Sequence, residues 1–195
     1  MPELAELRLT AAYINECSGG HSPTIRYTHI KKNPVHKGKD IELPFDGDFG
    51  ITAESRGKEL ILWLSQPEEK IPLKMTMGMS GHFKLTNTGQ EPKHAHLKFH
   101  RHDGTTLSFV DVRRFGKWKL GETWGANRGP DPTMEPEEFK YNVLKNLDKK
   151  PFDQPIHLVL MNQKYFNGIG NYLRAEILYR LPHVNPFMEA KEVIE

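Results

Sequence analysis

Near residue 125 the hydrophobic pattern changes period, and that change limits the architectures open to the chain. Upstream, short segments alternate apolar and polar residues: TIRYTHI, FGITAESRGKELILWL, KIPLKMTMGMSGHFKL, HAHLKFH and TTLSFVDV, with turn residues between them. A period of two at this spacing describes an antiparallel sandwich or barrel. Downstream the spacing is helical. Phe139, Val143, Leu144 and Leu147 form one stripe with Asp131 or Thr133 as its expected N-cap. A second helix follows Pro155 through IHLVLMN, and a third, NYLRAEILYRL, stops at Pro182. A fourth is expected at NPFMEAKEVIE, with Asn185 as cap and Pro186 at the first position. The stretch WGANRGPDPTMEP between the two regimes is rich in glycine and proline and reads as a linker. One more helix precedes the strands, because Leu4, Leu7, Ala11 and Ile14 recur at spacings of three and four. The expected fold class is α+β: an N-terminal antiparallel β-sandwich preceded by a helix (1–124), a linker (125–132) and a helical domain (133–195). The fourth helix runs to the last residue, so the helical domain is expected to be incomplete within this sequence.

Composition removes some function classes. With 37% hydrophobic and 27% charged residues, the chain suits a globular protein rather than a disordered one. It has no apolar run long enough for a membrane span and no secretory signal in its first thirty residues, so an intracellular protein without membrane association is expected. One cysteine, Cys17, excludes an internal disulfide and a multi-cysteine zinc site within these residues. The net charge of +2 does not identify a partner, but it is unevenly spread. Residues 1–131 hold 19 Lys and Arg against 16 Asp and Glu, and the remainder 8 against 9. Any basic surface is therefore expected on the first part.

Six stretches bear residues that chemistry uses. In MPELAEL, Pro2 fits the first turn of a helix; alternatively, once Met1 is removed, Pro2 carries a free secondary amine beside the carboxyl of Glu3. SRGKEL places Arg56 and Lys58 before an apolar strand on either side of Gly57, which allows an unusual backbone, as a solvated flank or as a phosphate contact or proton donor. FNGIGN puts two glycines and Asn171 before a helix, which is either a tight turn or an anion site. FVDVRRFGKW offers a guanidinium and a ring for insertion into a base stack, or a hairpin whose Phe115 and Trp118 pack back on the core. In MTMGMSGHF the methionines alternate as core residues do, while Met79 lies in a glycine-flanked turn. His94, His96, His100 and His102 share one strand face opposite Ala95, Leu97 and Phe99, a pattern that a polar outer face explains without a metal. No metal and no cofactor are expected.

Taken in order, MPELAEL, RGKEL, GMSGHF, HAHLKF, FVDVRRFGKW and FNGIGNYLRAEILYRL resemble the formamidopyrimidine-DNA glycosylase and endonuclease VIII family, closest to its endonuclease VIII-like 1 branch. The resemblance implies a catalytic β-sandwich domain and a DNA-binding domain with a helix-two-turns-helix motif. It implies a bifunctional DNA glycosylase and abasic-site lyase of base excision repair, removing oxidised pyrimidines and ring-opened purines. Carried over by position, Pro2 is the nucleophile that forms a Schiff base, Glu3 the acid and base beside it, and Lys58 a proton donor and phosphate contact. Met79, Arg113 and Phe115 fill the gap left by the extruded base, and Asn171 holds a phosphate. Glu6, one turn after Glu3, is a supporting residue. The implied partner is damaged double-stranded DNA, with bubble or single-stranded DNA as further substrates, the protein acting as a monomer in the nucleus, or in the cytoplasm of a bacterium. Two departures accompany the resemblance. Thr76 stands where many bacterial members have a phosphate-contacting histidine, and the family's C-terminal finger is absent from these residues, so weaker DNA affinity and activity are expected if the chain is complete. A lesion-binding protein with little turnover is the alternative reading. An RNA-binding ribosomal protein is a third, in which MPELAEL and FVDVRRFGKW have no place.

Overall fold

In the computed structural model, which describes residues 2–20 and 24–194, eight strands form two four-stranded sheets, seven of them from the alternating segments and the eighth, Lys117–Leu120, outside them. One has the order β1 (Tyr27–Lys32), β6 (Ala95–Arg101), β7 (Thr105–Val110), β5 (His82–Asn87). The other has the order β2 (Gly50–Arg56), β3 (Glu59–Ser65), β4 (Lys70–Thr76), β8 (Lys117–Leu120). The strand pairings resolved in register are antiparallel. Alternation puts Leu60, Leu62 and Leu64 of β3 and Leu73 and Met75 of β4 into the same core as Leu97, Phe99, Leu107 and Phe109 of the first sheet. Helix α1 (Leu4–Cys17) adds Leu7, Ala11 and Ile14 to that core, so its apolar stripe is what fixes its position.

The chain divides into two compact units. The first is residues 1–55 with 59–123. The second is 124–195 together with Arg56–Lys58, three residues that the linear reading places in the first domain. The second unit has its own core of Val143, Phe152, Ile156, Val159, Leu160, Tyr165, Phe166, Ile169 and Ala190. Its helices are α2 (Pro136–Leu144), the short α3 (Ile156–Val159), α4 (Asn171–Arg180) and α5 (Ala190–Ile194), with a 3-10 turn at Lys150–Asp153. Among the described residues no helix is long and apolar enough to cross a membrane.

Several local expectations are corrected. Pro2 is not in the first helical turn: α1 begins at Leu4 with Glu3 as N-cap, because Glu3 and Glu6 form a capping box that starts the hydrogen-bond ladder one residue later. Neither Asp131 nor Thr133 caps α2. Its N-cap is Glu135, and Asp131 instead closes the turn before it, accepting the N–H groups of Thr133 at 2.8 Å and Met134 at 3.1 Å. Pro186 does not start α5. Asn185 accepts the Phe187 N–H in a turn, and the chain bridges Pro155 at Glu189 before the helix forms.

Candidate nucleic-acid interface

Two loops of the first unit build the exposed part of the site. The turn after β4 carries Met79, and the turn between β7 and β8 carries Arg113 and Phe115. All three side chains are exposed, with Met79 at 59% and Phe115 at 54%. Arg113 joins them. Its Nη1–H donates to Met79 Sδ at 3.3 Å, and its guanidinium carbon lies 4.9 Å from the centre of the Phe115 ring. The two aromatic residues that the sequence left together are thus separated: Phe115 faces outward, whereas Trp118 is buried against Phe109 and His36. Met75 and Met77 are buried as the alternation implies, and Met79 is the one that protrudes.

The loops are held in place by Asp111, a residue that the sequence reading did not single out. Its fully buried carboxylate accepts the Ser80 hydroxyl on Oδ1, the Gly116 N–H on Oδ2 at 2.7 Å and the Arg113 N–H on Oδ1 at 3.2 Å. Ser80 Oγ also accepts the Arg113 N–H, at 3.2 Å. Burial alone pushes this carboxyl up, but the hydrogen bonds from Ser80, Gly116, Arg113 and Arg114 outweigh it and hold it below the ordinary range. Arg114 is the only non-glycine residue with positive φ among those described, at 58°, so the loop keeps a conformation its sequence disfavours. The available signal was an aspartate directly after a strand and before a turn, a frequent Asx-turn position.

His96 departs from the expected polar face. It lies at a register irregularity between Ala95 and Leu97, is 1% exposed, and places Nε2 2.9 Å from the Asp111 carbonyl oxygen, to which it donates. Its ring faces His36 at 5.1 Å between centroids, and burial pulls both imidazoles below their ordinary pKa. Among the described residues no group of three or more His, Cys, Asp or Glu side chains is placed to hold a metal ion.

At the start of the first unit, Glu3 is buried and donates its N–H to Glu6 Oε2 at 2.9 Å. Pro2, half-buried, stands just outside the helical ladder. The removal of Met1 concerns a residue outside those described.

Lys58 and Asn171 belong to the second unit. Lys58 is half-buried at the turn after β2. Arg56 beside it is neither a solvated flank nor an available phosphate contact, because Glu135 takes it in a two-point ion pair at 2.6 and 3.2 Å. The Gly57 N–H donates to Asp131 Oδ2 at 2.7 Å. Gly57 has a φ of 59°, and a Cβ there would lie 1.9 Å from Asn167 Oδ1. Asn167 in turn donates to the Gly129 carbonyl at 2.8 Å. The turn bearing Lys58 therefore abuts the glycine-rich turn that leads, through the N-cap Gly170, to exposed Asn171 at the first residue of α4. Asp131, Glu135 and Asn167 are the residues that make this junction, and only Asp131 was noticed in the sequence, as a cap.

Residues 1–118 match the model of the formamidopyrimidine-DNA glycosylase N-terminal domain. The chain belongs to this family. Over its whole length it is 43% identical to endonuclease 8-like 1 of Homo sapiens and 42% identical to that of Mus musculus, covering 51% of each. It is 28% identical to formamidopyrimidine-DNA glycosylase of Legionella pneumophila strain Paris, across 99% of this chain and 70% of that protein. The chain thus spans about half the length of the mammalian relatives. Among solved structures, the MutM (Fpg) protein of Thermus thermophilus matches with a TM-score of 0.74 at 23% identity, covering 98% of this chain and 68% of that one. A complex of the LlFpg protein with THF-DNA and an inhibitor matches at 0.75 and 24%, covering 100% and 73%. These neighbours establish the α+β fold of the family.

Proposed function

We propose that this protein is a bifunctional DNA glycosylase and abasic-site lyase acting on oxidised pyrimidines and ring-opened purines in DNA. The observation that carries the reading is the exposed cluster of Met79, Arg113 and Phe115, brought together from two loops by the buried Asp111. A thioether, a guanidinium and a ring on one edge suit a gap in a base stack, and holding that gap open offsets the few kcal/mol, roughly, that extruding a base costs. The relatives bear the names endonuclease 8-like 1 and formamidopyrimidine-DNA glycosylase, and one structural neighbour is described in complex with THF-DNA.

The chemistry is assigned to the amino end. With Met1 removed, the Pro2 nitrogen is a secondary amine. It attacks C1′ of the damaged nucleotide, the glycosidic bond breaks, and the base leaves with a proton. The attached nitrogen then gives up its proton and its lone pair closes a C1′=N iminium as the C1′–O4′ bond breaks and O4′ takes a proton, opening the sugar; the cation acidifies the C2′ proton, whose loss expels the 3′ phosphate, and a second elimination expels the 5′ phosphate. Glu3, adjacent in sequence, moves protons to the base or sugar oxygen, and Lys58 serves as proton donor during strand cleavage and as a phosphate contact. Glu6 supports Glu3 through the capping box. Asn171 binds a phosphate, and residues 133–195 act as the DNA-binding domain, with the α3-to-α4 segment as the helix-two-turns-helix. The protein works as a monomer on duplex, bubble or single-stranded DNA and is placed in a nucleus.

Borohydride trapping on duplex DNA carrying an abasic site or thymine glycol tests this reading. Protein shown by intact mass to lack Met1 is expected to give a covalent adduct, Pro2→Ala none, and Lys58→Ala most of it. No adduct from Met1-free protein would overturn the proposal.

A further inference from the structure

We propose that the loop from Asn33 to Lys39 is a second grip on the DNA backbone, beside the Met79, Arg113 and Phe115 wedge; this rests on the DNA-acting reading above. The inference starts from a charge pattern outside the motifs. Residues 26–39 hold Arg26, Lys31, Lys32, Lys37 and Lys39 without a single Asp or Glu, and residues 112–121 hold Arg113, Arg114, Lys117 and Lys119, again without an acid. Trp118 fastens the two runs together. Its indole Nε1–H donates to the Lys39 carbonyl at 2.8 Å, and its ring stacks on His36 with centroids 4.4 Å apart. Gly38 lies so close that a Cβ would stand 2.6 Å from Trp118 Cζ2, so the loop needs glycine there to reach the indole.

The loop is also braced from within. Asn33 donates its N–H to the His96 carbonyl at 2.9 Å, His36 donates to the Asn33 carbonyl at 3.0 Å, and Gly38 donates to His36 Nδ1 at 2.9 Å. Lys32 turns inward, to the His36 carbonyl at 3.2 Å and Asp40 at 3.9 Å, and Lys119 pairs with Glu122. The exposed Lys37, Lys39, Lys117 and Arg114 have no acidic ion-pair partner among the described residues. Four exposed cations held on a braced surface with no ion-pair partner among the described residues repel one another, and a polyanion relieves that repulsion. A phosphodiester backbone supplies it at regular spacing, and Trp118 follows Phe115 by only three residues, which puts the loop next to the position where the wedge would enter DNA.

Equilibrium binding to duplex DNA across a salt series tests the proposal, with undamaged duplex and duplex bearing a stable abasic-site analogue measured side by side. For Lys37→Ala with Lys39→Ala, the slope of log K against log salt is expected to become shallower by about one to about two, since each phosphate contact contributes roughly one. Affinity is expected to fall by the same factor on both duplexes, because backbone contacts read no lesion. Lys37→Arg with Lys39→Arg keeps the wild-type slope. An unchanged slope in the alanine variant, with Arg113→Ala still weakening binding, would overturn the second grip and leave the wedge standing. Absence of salt-dependent DNA binding in the wild type would overturn both.

Discussion

A carboxylate cut off from water persists only where enough hydrogens point at it. Asp111 meets that condition with one hydroxyl and the backbone N–H groups of the loop it organises. Asp111→Asn presents an amide nitrogen to one set of those donors, so a donor faces a donor. The expected loss is about 2 kcal/mol of folding stability, from one charge-assisted hydrogen bond removed and one donor left unpaired. Urea denaturation measures it, and a change well under half of that would mean water relieves the site. Gly57→Ala is a sharper case, since it needs positive φ and space that Asn167 occupies. It should cost at least about 1 kcal/mol by backbone strain alone, before the clash is counted. A variant of wild-type stability would show that the turn has another conformation. Gly57 was legible in the sequence as a backbone exception. Asp111 was not, because what makes it structural is burial and partners drawn from Ser80, 31 residues away.

Among the elements, period alone located β1 to β7 and the α1 stripe, while β8 was missed and the ends of elements went astray. Polar side chains near a boundary choose between partners that lie close in free energy. Asp131 is a good cap by type, yet it closes an earlier turn and accepts the Gly57 N–H, leaving Glu135 to begin α2. His96 belongs by parity with His94 and His100, yet an irregularity in the β6–β7 register turns it inward. At the start of α1, Glu6 closes the capping box on Glu3 rather than lying free on the surface. Glu6→Ala is therefore expected to destabilise the first unit by about 1 kcal/mol, the ordinary value of such a cap, and Glu6→Gln by less, because an amide oxygen still accepts the Glu3 N–H. Thermal unfolding of the two variants checks this. Equal losses would indicate that charge, and not the hydrogen bond, is what matters at this helix end.

For the molecule as a whole, the histidines displaced by burial lie in one unit. His36, His96 and His100 are each pulled below the ordinary imidazole pKa of 6.5, chiefly by desolvation. Neighbouring cations add to the effect, including Lys32 at His36, Arg114 at His96 and Lys31 and Lys98 at His100, while Asp111 and Glu91 oppose it. The sign follows from proton counts. Above pH 6.5 both folded and unfolded chains carry these rings neutral, and the stability they allow is fully present. As pH falls below 6.5 the unfolded chain takes up protons that the folded one refuses, so stability declines until the folded pKa values are also passed. The Asp111 carboxyl, held low, adds its own loss at more acid pH. The expected outcome is a urea midpoint that drops steadily from pH 7 to pH 5.5, before most carboxylates titrate, and that flattens when His36 and His96 are replaced together by glutamine. A midpoint constant across that range in the parent chain would mean that the folded protein accepts charge on these rings as readily as the unfolded one, and the burial account of them would fail.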